Sequence, residues 1–192
     1  MSGPPLILAS ASPRRKMLLA LAGVSFEVRP TPVDETPRPG ETPKDHVERL
    51  AREKAAWCAA RVPQAWVLGA DTVVVLGEEV MGKPVDEAQA AGMLGRLSGR
   101  VHEVFTGYCL TNQEFSEEAW ASARTEVEFR LLTAYDIESY VLSREPLGKA
   151  GAYAIQGRGA GLIRRIDGSY TNVVGLPLAE VIELLRGRDL IP

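Results

Sequence analysis

Apolar residues in this chain alternate between short continuous runs and stripes of helical spacing. Leu6-Ile7-Leu8-Ala9 has the length of a buried strand. Ser10-Ala11-Ser12-Pro13 then switches to helix-start chemistry, with Ser12 as N-cap and Pro13 at the first helical position. Met17, Leu18, Leu21 and Ala22 form a stripe that stops at Gly23, a natural helix terminator. Phe26 and Val28 suggest another strand. The stretch from Pro30 to Pro43 holds five prolines among acids and predicts a loop or flap.

Thr42-Pro43 opens a second helix running to the vicinity of Arg61, with Val47, Leu50, Ala51, Ala55 and Cys58 inward. Trp66 to Leu76 is apolar and β-branched except at Asp71 and Thr72, and predicts a buried strand. Asp86 starts a third helix that ends at Ser98-Gly99. Val101 to Leu110 and Thr125 to Arg130 have strand character, and Thr133 caps a helix through Val141. Gly148 to Gly161 predicts a loop. Leu162 to Ile166, Asp167-Gly168 and Ser169 to Val174 suggest a hairpin turning at Asp-Gly. Pro177 to Leu185 is a closing amphipathic helix. Strands and helices alternate throughout, so the class is α/β.

Composition narrows the function. The chain has 192 residues, 45% hydrophobic and 24% charged, enough for a proper core in one domain or two small intertwined lobes. A net charge of −3 argues against a broad footprint for nucleic acid or an anionic membrane. Two cysteines and two histidines exclude a disulfide framework and argue against a zinc finger or a histidine cage. No apolar run is long enough to cross a bilayer and no secretory signal pattern is present, so the expectation is a soluble cytoplasmic protein. Of the 22 basic residues only five are lysines, which singles out any lysine inside a motif.

Three features carry candidate chemistry. Arg14, Arg15 and Lys16 place three cations in a first helical turn, where the macrodipole disfavours them unless a polyanion lands there. Ser10 and Ser12 add hydroxyl donors; an ordinary capped, basic turn is the plainer alternative. Lys54 falls on the apolar face of its helix, beside Leu50, Ala51 and Cys58, either reaching out to water or aimed into a cleft. Asp71 puts a carboxylate in a buried strand, where it needs a cation, a metal or a dense set of hydrogen bonds.

Weaker signals accompany these. Gly82-Lys83-Pro84 presents Lys83 on a rigid turn. Asp34 and Glu35 could join Asp71 around a hard divalent cation such as Mg²⁺ or Mn²⁺. The glycine-rich segment contains Tyr153, Gln156 and Arg158, and a Gln can read a base edge with paired donor and acceptor. A Walker loop, a nucleophile elbow and a His-Glu-x-x-His motif are all lacking.

Seven segments in register resemble the Maf family of nucleoside triphosphate pyrophosphatases: Ala9-Ser10-Ala11-Ser12-Pro13-Arg14-Arg15, Arg52-Glu53-Lys54-Ala55, Gly69-Ala70-Asp71-Thr72, Gly82-Lys83-Pro84, Leu97-Ser98-Gly99, Lys149 to Tyr153 with Ile155-Gln156-Gly157, and Val174-Gly175-Leu176-Pro177. The resemblance covers nearly the whole chain and implies a single domain over residues 1–192. It implies a mixed, elongated sheet flanked by helices, with two lobes and a deep cleft of the inosine-triphosphate-pyrophosphatase kind. It also implies cleavage between the α and β phosphates with a divalent metal. By that likeness Asp71 is the base, Ser10, Arg14, Arg15, Lys54 and Lys83 hold the triphosphate, and Glu35 assists Asp71 at the metal. Arg14, Thr72 and Gln156 together resemble the branch acting on dTTP and UTP. A homodimer is expected by the same likeness. The rival reading is a nucleotide-binding regulator of septum formation that needs no turnover.

Overall fold

The computed structural model describes residues 5–192. Seven strands form one mixed sheet: β1 (Leu6–Leu8), β2 (Glu27–Val28), β3 (Trp66–Leu76), β4 (Glu79–Met81), β5 (Val101–Asn112), β6 (Glu117–Phe129) and β7 (Ile163–Asp167). Their order is β2-β1-β3-β5-β6-β7, with β4 pairing to β3. Strand β1 runs parallel to β2 and β3, while β3–β4 and β6–β7 are antiparallel. The helices are α1 (Pro13–Leu21), α2 (Pro43–Ala59), α3 (Glu87–Leu97), α4 (Ala134–Leu142), α5 (Tyr170–Val174) and α6 (Leu178–Arg186).

The chain forms two compact units. Unit 1 comprises residues up to Asp71, Thr106–Ala123 and Gly175–Pro192; unit 2 comprises Thr72–Phe105 and Arg124–Val174. Each has its own apolar core. Unit 1 buries Ile7, Ala51, Ala55, Cys58, Val67 and Cys109, and both thiols are free. Unit 2 buries Val74, Leu94, Val127, Phe129, Tyr140 and Tyr153.

Local chemistry explains most element starts. The hydroxyls of Ser12 and Thr42 accept from the amides of Arg15 and Asp45, and each cap is followed by Pro at the first helical position. Asp86 caps α3, and Thr133 with Asp136 forms a full capping box on α4. Within unit 1, α2 lies against strands whose glycines admit it. A Cβ on Gly69 would stand 2.1 Å from the Ala51 carbonyl oxygen, and one on Gly107 would stand 2.3 Å from that of Val47. Only glycine permits so close a backbone approach.

The structure corrects the sequence reading at four places. Ser169–Val174 is not the second arm of a hairpin: β7 pairs with β6, and residues 170–174 form helix α5. The Ser169 hydroxyl accepts from the Asn172 amide as an N-cap does, while buried Asn172 donates to Val104 O and Thr125 Oγ1. Gly168 sits at φ 125°, outside the left-handed helical region that a two-residue hairpin turn requires there. Strand β6 begins eight residues before Thr125, at Glu117. Strand β4 went unread because Glu79-Val80-Met81 is too short for a pattern. The glycine-rich segment contains two short 3₁₀ turns, Ala150–Ala152 and Gly157–Leu162.

Candidate active site

Unit 1 gathers most of the residues singled out above. Asp71 ends the portion of β3 that belongs to this unit, two residues beyond Gly69, and Lys54 lies one helical turn along α2 from Ala51. The close Gly69–Ala51 approach therefore brings the two side chains together. Lys54 Nζ donates to Asp71 Oδ1 at 2.7 Å and to Glu35 Oε1 at 2.5 Å. Lys54 and Asp71 are 6% and 8% exposed, so the lysine does not reach out to water. Its place on the apolar face has a partner-based explanation: the charge is held by two carboxylates.

Glu35 reaches this cluster from the proline-rich segment and is itself exposed. Asp34, beside it, turns away: its carboxylate accepts from the Thr36 amide and hydroxyl at 3.0 and 2.7 Å, which holds its carboxyl below the usual range. Asp34 is thus part of a turn and does not join Asp71. An ion-pair network ties the segment to α2. Arg49 clasps Glu41 with Nε and Nη2 at 2.5 and 2.8 Å, and Nη2 also donates to the Thr36 carbonyl, one residue from Glu35. His46 Nδ1 adds a 3.0 Å contact to Glu41.

The start of α1 belongs to the same region of unit 1. Arg15 is buried; its Nε donates to Gly175 O at 2.8 Å and its Nη1 to Ser10 Oγ at 2.9 Å. Burial lowers the Arg15 pKa, Asp71 and Glu35 counter that effect, and Arg14 adds to it. Arg14 is half-buried, and burial lowers its pKa also. A partly desolvated guanidinium at a helix N-terminus is poised for an anion. Ser10 Oγ accepts from both Arg15 and the Ser12 amide, which directs its own O–H toward a further acceptor.

A divalent cation is chemically compatible with this cluster. The two carboxylates already converge on one cation, the Lys54 ammonium, and supply the hard oxygen donors Mg²⁺ or Mn²⁺ take. Among the described residues no three His, Cys, Asp or Glu side chains converge. An ion held by Asp71 and Glu35 would complete its sphere with phosphate oxygens and water.

Unit 2 carries Thr72, Lys83 and Gln156. Thr72 follows Asp71 in β3 and is half-buried; Lys83 is exposed on the turn after β4. The Gly151 amide donates to Gly82 O at 3.1 Å, so the lysine's turn is joined to the glycine-rich segment that bears Gln156. Gly151 has φ +67°, and a Cβ there would press on Val74 Cγ1 at 2.9 Å.

Sequence reading missed Arg49 and Glu41, a pair that joins α2 to a segment without periodicity. It also missed Glu145, whose one trace in the sequence is the pair of glycines, Gly157 and Gly159, that must let something approach.

Comparison with known proteins follows the same lines. A family model described as Maf-like protein matches residues 5–188. The chain is 54% identical over 181 residues to a dTTP/UTP pyrophosphatase of Geobacter sulfurreducens, covering 94% of this chain and 95% of that one. It is 54% identical to the protein of the same name from Syntrophus aciditrophicus (94% and 88% covered) and 52% to that of Myxococcus xanthus (96% and 93%). Among solved structures, a HAM1 protein from Coxiella burnetii matches with a TM-score of 0.50 over 96% of this chain and 99% of that chain. At 17% identity, that likeness concerns the fold.

Proposed function

The chain belongs to the Maf family, and on that premise we propose that it hydrolyses dTTP and UTP between the α and β phosphates, giving the nucleoside monophosphate and pyrophosphate. The observation that carries the reading is the buried Lys54 ammonium bridging Asp71 and Glu35. Relatives about half identical over nearly the whole chain and named dTTP/UTP pyrophosphatase favour this reading over a binding-only regulator.

The roles follow from chemistry. Arg14 and the Ser10 hydroxyl hold phosphate oxygens, with Ser12 capping the helix that presents them. Arg15, pinned to Gly175, contributes its positive field and fixes Ser10. Asp71 takes a proton from the attacking water, and Lys54 stabilises both that carboxylate and the charge growing on the phosphate. A divalent cation at Asp71 and Glu35, Mg²⁺ or Mn²⁺, would neutralise the triphosphate and polarise the phosphorus. Lys83 adds a further phosphate contact. Gln156 reads the base: its amide oxygen suits the N3–H of uracil or thymine and its NH₂ the neighbouring carbonyl, and Thr72 assists.

The match over residues 5–188 supports treating both units as one Maf domain. No helix among the described residues is long and apolar enough to cross a membrane. By family likeness the proposal includes a cytoplasmic enzyme working as a homodimer, and the net charge of −3 supports free nucleotides, not nucleic acid, as its substrate. The test is direct: purified protein with UTP or dTTP and Mg²⁺ or Mn²⁺ should release pyrophosphate, and a chelator should stop it. Tight nucleotide binding without pyrophosphate would overturn the proposal.

A further inference from the structure

Unit 2 contains a clamp that the proposed chemistry does not use. Glu145 follows α4, and its carboxylate faces the glycine-rich segment. Oε1 accepts from the Tyr140 hydroxyl and the Gly159 amide, both at 2.9 Å, and Oε2 accepts from the Arg158 amide at 3.0 Å. The Tyr140 oxygen in turn accepts from the Ala154 amide at 3.1 Å. Two side chains thus hold backbone amides on both sides of Gln156.

The glycines fit this clamp. Gly157 has φ +67°, and a Cβ there would stand 2.6 Å from Glu145 Oε2; a Cβ on Gly159 would stand 2.6 Å from the Tyr140 oxygen. The segment can approach so closely only without side chains at both positions. Burial disfavours the Glu145 charge, but the Gly159 and Arg158 amides and the Tyr140 hydroxyl outweigh it and hold the carboxyl below its usual range. Lys149 Nζ donates to the Glu145 backbone carbonyl, which fixes the carboxylate's own mooring.

We infer that Glu145, with Tyr140, is a positioning residue for Gln156 and thereby sets base selectivity among pyrimidine triphosphates. The inference rests on the proposed reading of Gln156 as the group that meets the base. A primary amide can present its donor and acceptor in either order. A mobile Gln would therefore suit cytosine as well as uracil, since the two bases show opposite patterns on that edge. Discrimination needs the amide held in one order, and a contact that does this can act only if the backbone carrying Gln156 is itself held, as the clamp holds it from both sides.

The experiment measures pyrophosphate release from UTP and CTP by wild type, Glu145→Gln, Gln156→Ala and the double variant. Glu145→Gln keeps the volume and places an NH₂ group against amide donors. The expected result is that Glu145→Gln raises the UTP KM and lowers the UTP-to-CTP ratio of kcat/KM by about tenfold, with kcat little changed. In the Gln156→Ala background the same substitution should add almost nothing, because residues acting through one group are not additive. An equal loss in both backgrounds would make Glu145 merely structural and sink the inference alone. A Gln156→Ala variant with wild-type KM for UTP would sink the reading of Gln156 and the inference with it. Tyr140→Phe, which frees the Ala154 amide and removes one of the three donors to the Glu145 carboxylate, supplies the same comparison if Glu145→Gln does not fold; it should show a smaller effect with the same dependence on Gln156.

Discussion

Lys54 Nζ stands 2.7 Å from Asp71 Oδ1, and neither residue is more than a tenth exposed. Removing one partner from such a buried pair leaves a charge without compensation, which costs about 3–5 kcal/mol. Lys54→Ala should therefore lower chemical-denaturation stability by about that amount as well as abolish turnover. Asp71→Asn should reduce kcat by roughly 10²–10⁴-fold while triphosphate still binds. The double variant Lys54→Met/Asp71→Asn should regain much of the lost stability and none of the activity. Full turnover by Asp71→Asn would remove the aspartate from its role.

Two adjacent arginines should behave differently. Arg14 is half-buried at the helix start, whereas Arg15 is buried and bonded to Gly175 O and Ser10 Oγ. Arg14→Ala should raise the KM for UTP with a melting temperature near wild type. Arg15→Ala should destabilise by about 2–3 kcal/mol, since hydrogen bonds from a charged donor to buried acceptors are lost. Thermal melts and steady-state kinetics on both variants check this; equal stability would contradict the assignment of Arg15 as a pin.

Gly69 offers a steric test. Its Cβ position falls 2.1 Å from the Ala51 carbonyl oxygen, and the obstacle is helix backbone. Gly69→Ala must push α2 off β3, at a cost of at least about 3 kcal/mol. It should also separate Lys54 from Asp71, so activity should fall even at temperatures where the variant remains folded. Circular dichroism melts with activity assays below the transition measure both effects.

Acid stability should have a component from His102. The ring is buried between Phe129 and Tyr153, its Nε2 is 2.8 Å from the Tyr153 oxygen, and burial pushes its pKa down to about 4. In the unfolded chain the imidazole takes its proton near pH 6.5. The depressed folded pKa makes this contribution complete above pH 6.5 and progressively lost as pH falls toward 4. The loss should be on the order of 3 kcal/mol. Urea titrations of wild type and His102→Asn at several pH values should show a flatter acid limb in the variant.

Much of the architecture is legible in the residue pattern, because caps and apolar runs are local signals. Ser12, Thr42, Asp86 and Thr133 each announce a helix, and all four caps are present. Lys54 and Asp71 stand out because a charge on an apolar face or in a buried strand needs a partner. The failures concern information held elsewhere in the chain. The first half of β6, from Glu117 to Arg124, has one large apolar residue, Trp120, among acids, alanines, Ser122 and Arg124, too little to mark a strand, so its place depends on the neighbouring β5. Ser169–Val174 looks β-branched locally, yet Thr125 and Val104 capture Asn172 and favour a helix. Arg15 reads as a ligand for anions, and only the fold shows that Gly175, 160 residues away, also takes its Nε.

The two carboxylates on Lys54 are not equivalent. Asp71 is enclosed and comes from the sheet, whereas Glu35 has a side chain 49% exposed and hangs from an irregular segment anchored by Arg49 and Glu41. Of the two carboxylates, Glu35 is therefore the one that solvent or an incoming phosphate can reach and displace. Asp71 has no such freedom. The ammonium therefore has one permanent companion and one replaceable one, and a polyphosphate tail can exchange places with the latter without disturbing the former.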